Sequence, residues 1–242
     1  MKGVILLLLL IAICIAVFFA FPGPPTKSPI VGIKDIWYIN LDRSVDRKKS
    51  LEQELKKLPS MPVYRWRAVD GKDLSEKEIQ TLGVPNWSRP EFAPKDKMKQ
   101  RANEIACFLS HRSLLEKLKS LPTNPEDGHL IVEDDIIILP NLVKQWNTAL
   151  QGIHNDWDMI FLGYSVHKEI FQVKDNLGVP ESLAGTYAYV VKHKSIPKIL
   201  ERLEIIYDPI DEVYSREIGN LRILAFERPL VSPGKAKSTI RQ

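Results

Sequence analysis

The residues with the clearest chemical potential are three adjacent acids, Glu133, Asp134 and Asp135. They directly follow residues 130–132, a short apolar run that is typical of a buried strand. Three neighbouring carboxylates repel one another, and a divalent cation such as Mg²⁺ or Mn²⁺, which prefers carboxylate oxygens, relieves that repulsion. Ligands of open α/β sheets bind beyond the carboxyl ends of strands. The triplet therefore predicts a metal site that holds a diphosphate, and an ordinary acidic turn is the alternative.

A second polar group follows the first predicted strand, residues 36–41. It comprises Asn40, Asp42, Arg43 and Arg47. Arginine binds phosphate through paired donors, and asparagine can read a base edge or a ribose hydroxyl, so this turn suits a nucleotide. The alternatives are a solvated loop charge for Arg43 and a salt bridge in the first turn of a helix for Arg47.

Short apolar runs alternate with helical patterns along the chain, and these elements must position the polar groups. Strands are predicted at 36–41, 64–69, 130–132, 157–162, 186–191 and 221–226, and the clearest helix at 102–121. This alternation predicts an α/β fold with a mostly parallel central sheet.

The amino-terminal residues differ in composition from the rest. Residues 4–21 are all apolar, and as a helix they would span about 27 Å, close to the ~30 Å hydrocarbon core of a bilayer. Bulky phenylalanines end the run, which favours an uncleaved transmembrane anchor (1–21) over a cleaved signal peptide, the alternative. A proline-rich stem (22–30) follows, and residues 31–242 have the length of one catalytic domain.

The composition excludes several classes of protein. Of the 242 residues, 44% are hydrophobic and 26% are charged, which rules out a disordered chain. Two cysteines are too few for a disulfide scaffold. The formal charge of +4 is small, and basic residues are interleaved with acidic ones, so we expect no nucleic-acid partner.

Several segments resemble, in order along the chain, the motifs of glycosyltransferase family 25, which includes lipooligosaccharide galactosyltransferases and collagen hydroxylysine galactosyltransferase domains. They are WYINLDRSVDRKKSLEQEL (37–55), YRWRAVDGKDL (64–74), NEIACFLSHRSLLEKL (103–118), HLIVEDDIIILPNL (129–142), WDMIFLG (157–163), GTYAYVVKHKSIPKIL (185–200) and PIDEVY (209–214). The resemblance implies a GT-A type nucleotide-sugar fold. It also implies a metal-dependent inverting transfer, commonly of galactose from UDP-galactose.

The resemblance also implies roles for individual residues. Asp135, together with Asp134, would bind Mn²⁺ or Mg²⁺. The residues that would contact the nucleotide-sugar are Asn40, Asp42, Arg43, Arg47, Glu104, His111, Glu133, Asp134, Gly185 and Thr186. Asp211 would be the base that takes the proton of the acceptor hydroxyl, with Glu212 as the other candidate. The alternatives are a core histidine for His111 and a helix start for the two acids.

The chain departs from the family pattern at Asn103 and Ala106, where glycine is usual, so Cβ atoms could crowd a nucleotide that approaches the backbone. The predicted function is a membrane-anchored transfer of a hexose from a UDP-sugar to a glycan, a lipopolysaccharide or a hydroxylysine-containing protein. The expected location is the Golgi or ER lumen in a eukaryote and the inner membrane in a bacterium. The alternatives are an inactive membrane-tethered relative that serves as a binding partner and a metal-dependent phosphohydrolase.

Overall fold

A central sheet flanked by helices forms the part of the chain that the computed structural model describes, residues 29–83 and 97–234. The strands are β1 (Ile33–Asn40), β2 (Val63–Arg67), β3 (Gly128–Glu133), β4 (Ile136–Ile138), β5 (Met159–Gly163), β6 (Val166–His167), β7 (Ile170–Lys174), β8 (Leu177–Pro180), β9 (Leu183–Ala184), β10 (Ala188–Lys192), β11 (Ile223–Phe226) and β12 (Val231–Pro233). The helices are α1 (Val45–Leu55), α2 (Glu76–Thr81), α3 (Lys97–Lys119), α4 (Leu142–Leu150), α5 (Ile196–Arg202) and α6 (Ile210–Arg216).

The central sheet has eight strands in the order β2-β1-β3-β10-β5-β11-β8-β7, and β12 with β4 and β6 with β9 form two small antiparallel pairs. In the central sheet β1 runs parallel to β2 and β3, and β5 runs parallel to β11. The other four pairings are antiparallel. The sheet is therefore mixed.

The prediction of a mostly parallel sheet is wrong at β10 and at the β7–β8 hairpin. Strand β10 lies between β3 and β5 and runs antiparallel to both. A strand covered by helices on both faces is apolar throughout, whichever direction it runs, so the residue pattern of β10 carries no information about its direction. The direction of β10 depends on its pairing with β3 and β5, which lie elsewhere in the sequence.

Alternate residues of the strands pack on opposite faces of the sheet, which gives two cores. In β1, Trp37 and Ile39 face the core that contains α3, α5 and α6, while Ile36 and Tyr38 face the core that contains α1 and α4. Strand β3 alternates in the same way, with Ile131 on the first face. The result is a three-layer α/β arrangement. Whether a residue occupies an odd or an even position along its strand decides which layer of helices its side chain packs against.

Within residues 29–83 and 97–234, the structure contains no helix long and apolar enough to span a bilayer. The predicted anchor, residues 1–21, lies outside the described residues, as does most of the predicted stem.

Candidate functional site

The acidic triplet lies at the carboxyl ends of β1 and β3, which are parallel neighbours. In their register Ile39 lies beside Glu133, so that Asn40, the last residue of β1, faces the residues that follow β3. Asn40 Nδ2 donates a hydrogen bond of 2.6 Å to Asp134 Oδ2, and both side chains are buried. The structure thus brings the first-strand turn and the triplet into direct contact.

Arg47 reaches the triplet from the first turn of α1. Its Nε lies 3.1 Å from Asp134 Oδ1, and its Nη2 contacts Asp135 Oδ2. The salt bridge that the sequence left open for Arg47 is therefore present, and its partners are the two acids predicted to bind metal. One guanidinium charge faces two carboxylates that are largely withdrawn from water, so the pair is only partly neutralised.

Asp135 has an oxygen available for a cation. Within the described part of the chain, its Oδ1 is buried and has no hydrogen-bond partner. Burial, and next the negative charge of Glu133, raise the pKa of Asp135 from 3.8 to about 6, although Arg47 opposes the shift. A divalent cation at Oδ1 would supply the missing positive charge, so this carboxyl group fits Mn²⁺ or Mg²⁺.

Asp134 is more fully engaged than Asp135. Its Oδ2 accepts from Asn40 and its Oδ1 faces Arg47. Burial still raises its pKa above the ordinary value, against the opposing effects of Arg47 and Asn40. Of the two carboxylates, Asp135 is therefore better able to bind a metal, because its Oδ1 has no hydrogen-bond partner among the described residues. Asp134 holds the surrounding side chains in place.

Glu133 turns to the opposite face of the sheet, toward α3. Its Oε1 accepts a 2.7 Å hydrogen bond from Thr186 Oγ1 and lies 3.7 Å from His111 Nε2. Burial alone would raise the pKa of Glu133, but the interactions with His111, Thr186 and Arg47 hold it below its usual range. Glu133 is thus an ionised acid fixed between a helix and a strand.

His111 is buried, as expected for a core histidine, but its partners belong to the site. Its Nδ1 is hydrogen-bonded to the Tyr189 hydroxyl at 2.9 Å, and its Nε2 lies 3.5 Å from Thr186 Oγ1. The ring stacks on that of Tyr189, with centroids 5.7 Å apart. His111 therefore links β10 to the end of β3.

Gly185 joins the triplet to the candidate base. Its N–H donates to Asp211 Oδ2 at 2.8 Å, while the next residue, Thr186, holds Glu133. The φ angle of Gly185 is +83°, and a Cβ atom there would lie 3.0 Å from Ser165 Oγ, so only glycine suits the position. Asp211 Oδ1 accepts from the backbone N–H of Glu212, so both carboxylate oxygens are held at the start of α6.

Asp42 and Arg43 lie nearer the surface, in ion pairs with other basic and acidic residues. Arg43 Nε is 2.5 Å from Asp70 Oδ2, and its Nη2 is 3.3 Å from the other oxygen of that carboxylate. Asp42 accepts from Arg65 at 2.6 Å and pairs with Arg67 at 2.7 Å. Both predicted residues therefore border the site without touching the triplet in this structure.

Sequence reasoning did not identify Arg65. Its Nε donates to Asn40 Oδ1 and its Nη2 to the Asn40 carbonyl oxygen, each at 3.0 Å. These bonds orient the Asn40 amide so that Nδ2 points at Asp134. The sequence signal was present, because Arg65 and Arg67 alternate with aromatic residues along β2, but nothing local indicates which neighbour each arginine meets.

Sequence reasoning also assigned no role to Cys107. Its Sγ, a ring nitrogen of His111 and a carboxylate oxygen of Glu133 lie within 4.8 Å of one another. Burial raises the pKa of the thiol well above its usual range, and Glu133, Asp211, Glu104 and Asp135 raise it further, in that order. Glu104, predicted to contact the donor, lies one turn earlier on α3. Cys107 therefore lies among the site's acids.

Asn103, one of the departures from the family pattern, packs against another part of the chain. A Cβ atom added to Gly71 would lie 2.3 Å from Asn103 Oδ1 and 2.8 Å from its backbone nitrogen. The loop of Gly71 therefore comes close to α3 because glycine has no side chain. Ala106, the second departure, is buried.

An open α/β sheet with buried carboxylates beyond its strand ends has the architecture of an enzyme that binds its ligand at that edge. The model of one protein family, described as "Glycosyltransferase family 25 (LPS biosynthesis protein)", matches residues 33–214. The chain belongs to glycosyltransferase family 25, as its motifs predicted, and it carries a glycosyltransferase domain.

The curated relatives are longer proteins. A "Glycosyltransferase 25 family member" of Aedes aegypti is 30% identical over 202 residues, which are 78% of this chain and 32% of that protein. The "Inactive glycosyltransferase 25 family member 3" of Homo sapiens is 28% identical over 176 residues, covering 68% of this chain and 27% of that protein. The chain spans between about a quarter and a third of the length of these relatives.

A solved structure with a similar course of the chain is titled "Crystal structure of a glycosyltransferase involved in the glycosylation of the major capsid of PBCV-1". It shares 8% identity with this chain and has a TM-score of 0.47, covering 84% of this chain and 93% of that one.

Proposed function

We propose that this protein is a metal-dependent inverting glycosyltransferase of GT-A type. It would move a hexose, which we propose is galactose, from a UDP-sugar to a hydroxyl group of a glycan, a lipopolysaccharide or a hydroxylysine-containing protein. The observation that carries the proposal is the buried Asp135 Oδ1, which has no hydrogen-bond partner among the described residues of a glycosyltransferase family 25 domain.

Mn²⁺ or Mg²⁺ would be held by Asp135, with Asp134 beside it. The ion would offset the charge of the diphosphate and of the UDP that leaves. The protein's own part is positional: Asn40 and Arg47 hold Asp134, and Arg47 also contacts Asp135. Arg43 is close enough to Asp134 for their charges to interact, which keeps a second guanidinium near the expected phosphates.

Asp211 is our candidate for the base. Two backbone N–H groups hold its oxygens, which orients the carboxylate and leaves lone pairs on both oxygens to accept a proton. Through Gly185 and Thr186 it is connected to Glu133, so the proposed base and the acidic triplet belong to one hydrogen-bonded unit.

The location and the outer boundaries of the domain complete the proposal. Residues 1–21 would anchor the protein in the membrane, residues 22–30 would form a stem, and residues 31–242 would form the catalytic domain. This arrangement would hold the site near acceptors made in the Golgi or ER lumen of a eukaryote, or at the inner membrane of a bacterium. We also propose that the protein does not bind nucleic acid.

A second candidate is a non-catalytic member of the family that acts as a membrane-tethered binding partner. Some similar proteins, such as the human one and the "Probable inactive glycosyltransferase 25 family member 3" of Bos taurus, are named inactive. Asn103 and Ala106 add side chains where the family usually has glycine. The same assay separates the two candidates.

The test is a panel of UDP-sugars incubated with the full chain in detergent, with and without Mn²⁺, and scored for release of UDP. We expect release with one sugar, dependent on the metal and abolished in Asp135→Asn. Asp46→Asn is the matched control, because the Asp46 side chain is 99% exposed and should not affect turnover. Full activity of Asp135→Asn would refute Asp135 as the metal ligand. If no sugar gave metal-dependent release of UDP, the non-catalytic candidate would be favoured.

A further inference from the structure

Cys107 and His111 lie one helical turn apart on α3, so they share a face of the helix, and that face meets the end of β3 at Glu133. The three ligand atoms lie within 4.8 Å of one another, and His111 Nε2 is 3.7 Å from Glu133 Oε1. A tetrahedral zinc ion holds such atoms about 3.3–3.6 Å apart. Small side-chain movements would therefore bring all three onto one ion.

We propose that Cys107, His111 and Glu133 bind a thiol-seeking divalent metal of the Zn²⁺ class, at a site distinct from the hard-cation site at Asp135. Thiolate and imidazole select zinc-like metals, whereas Mg²⁺ and Mn²⁺ prefer oxygen ligands. Among the side chains that the structure describes, this is the one group of three or more His, Cys, Asp or Glu residues whose ligand atoms all lie within 4.8 Å of one another.

The surroundings of the site supply what a metal-binding histidine needs. A metal on Nε2 requires the proton of His111 to be on Nδ1, and the Tyr189 oxygen lies 2.9 Å from Nδ1, where it can accept that proton's hydrogen bond. The ring is buried and stacked on Tyr189, so its orientation is already fixed. Little side-chain freedom is lost when the ion binds.

The local charge also favours a cation. Four nearby acids, Glu133, Asp211, Glu104 and Asp135, act on the Cys107 thiol. Binding converts the thiol to a thiolate and releases its proton to water, so affinity for the metal rises with pH. Three protein ligands leave a fourth position for water.

The proposal is tested with Co²⁺, which replaces Zn²⁺ in such sites and gives a sulfur-to-cobalt charge-transfer band only when a thiolate is bound. Co²⁺ is titrated into the metal-stripped full chain in detergent. The chain has two cysteines, Cys14 and Cys107, which provides a matched pair of variants. We expect the band in the parent and in Cys14→Ser, and its loss in Cys107→Ser.

Two further variants test whether Glu133 is a ligand of the ion and whether Asp135 is not. We expect Glu133→Gln to weaken Co²⁺ binding at least tenfold, and Asp135→Asn to retain the band. A band that persists in Cys107→Ser, a band lost in Asp135→Asn, or no band in the parent would overturn the proposal. If Cys107→Ser fails to fold by circular dichroism, His111→Gln must lose the band instead. The readout is spectroscopic, so the absence of the band would not argue against the proposed transfer reaction. Likewise, the absence of UDP release would not argue against this metal site.

Discussion

Replacing Asp135 should make the metal-free protein more stable while removing its proposed activity. The pKa of this carboxyl group rises from 3.8 to about 6 on folding, chiefly because it is buried and next because Glu133 is close. The folded protein therefore binds the proton more tightly than the unfolded chain. Below pH 3.8 the carboxyl group is protonated in both the folded and the unfolded state, so burial of a charge costs nothing. As the pH rises from 3.8 to 6 the free energy of unfolding decreases, and above pH 6 it stays at its lower value.

The size of the effect follows from the shift. A difference of about two pKa units corresponds to about 3 kcal/mol of destabilisation at neutral pH, at 1.36 kcal/mol per unit. The shift already includes the opposing effect of Arg47, so Asp135→Asn, which removes the charge together with that contact, should raise the free energy of unfolding by up to about 3 kcal/mol. For a chain of this size each kcal/mol corresponds to about 2–4 °C in melting temperature.

The assay is thermal unfolding followed by circular dichroism in EDTA, at pH values from 4 to 8, for the parent, Asp135→Asn and the exposed control Asp46→Asn. The difference between the parent and Asp135→Asn should be small at pH 4 and should reach its full value above pH 7. Mn²⁺ should stabilise the parent and not the Asp135 variant. A difference that does not vary with pH, or a variant less stable than the parent at pH 8, would refute this account of the site.

Three other substitutions test the contacts around the triplet. Arg47→Met leaves the acidic pair without its guanidinium, and urea unfolding at pH 8 should show a loss of about 3–5 kcal/mol, as for other broken buried ion pairs; an unchanged unfolding midpoint would contradict the pairing. Gly185→Ala should cost about 1–3 kcal/mol in the same assay, and more than Gly219→Ala, which also has a positive φ but open space around it; equal losses would show that crowding plays no part. Asp211→Asn should lower turnover by about 10²–10⁴-fold with UDP-sugar affinity unchanged by calorimetry, and a loss confined to affinity would exclude it as the base.

Six of the eight strands of the central sheet could be located from the sequence, because apolar runs bounded by polar residues reflect burial, which a short window records. The runs at 157–162 and 186–191 correspond to β5 and β10. Their relative direction could not be read, since helices cover both faces and the residues are apolar in either direction.

The sequence by itself determined the family, through co-linear motifs, and the place of the acidic triplet, because carboxylates that follow a buried strand must lie at its end. Only the tertiary structure decided which groups they meet. Arg47 contacts Asp134 and Asp135, Arg65 orients Asn40, and Cys107 approaches Glu133. Each contact joins residues from different elements, and its geometry depends on strand order and helix placement. Those are properties of the whole packed chain, and no local pattern records them.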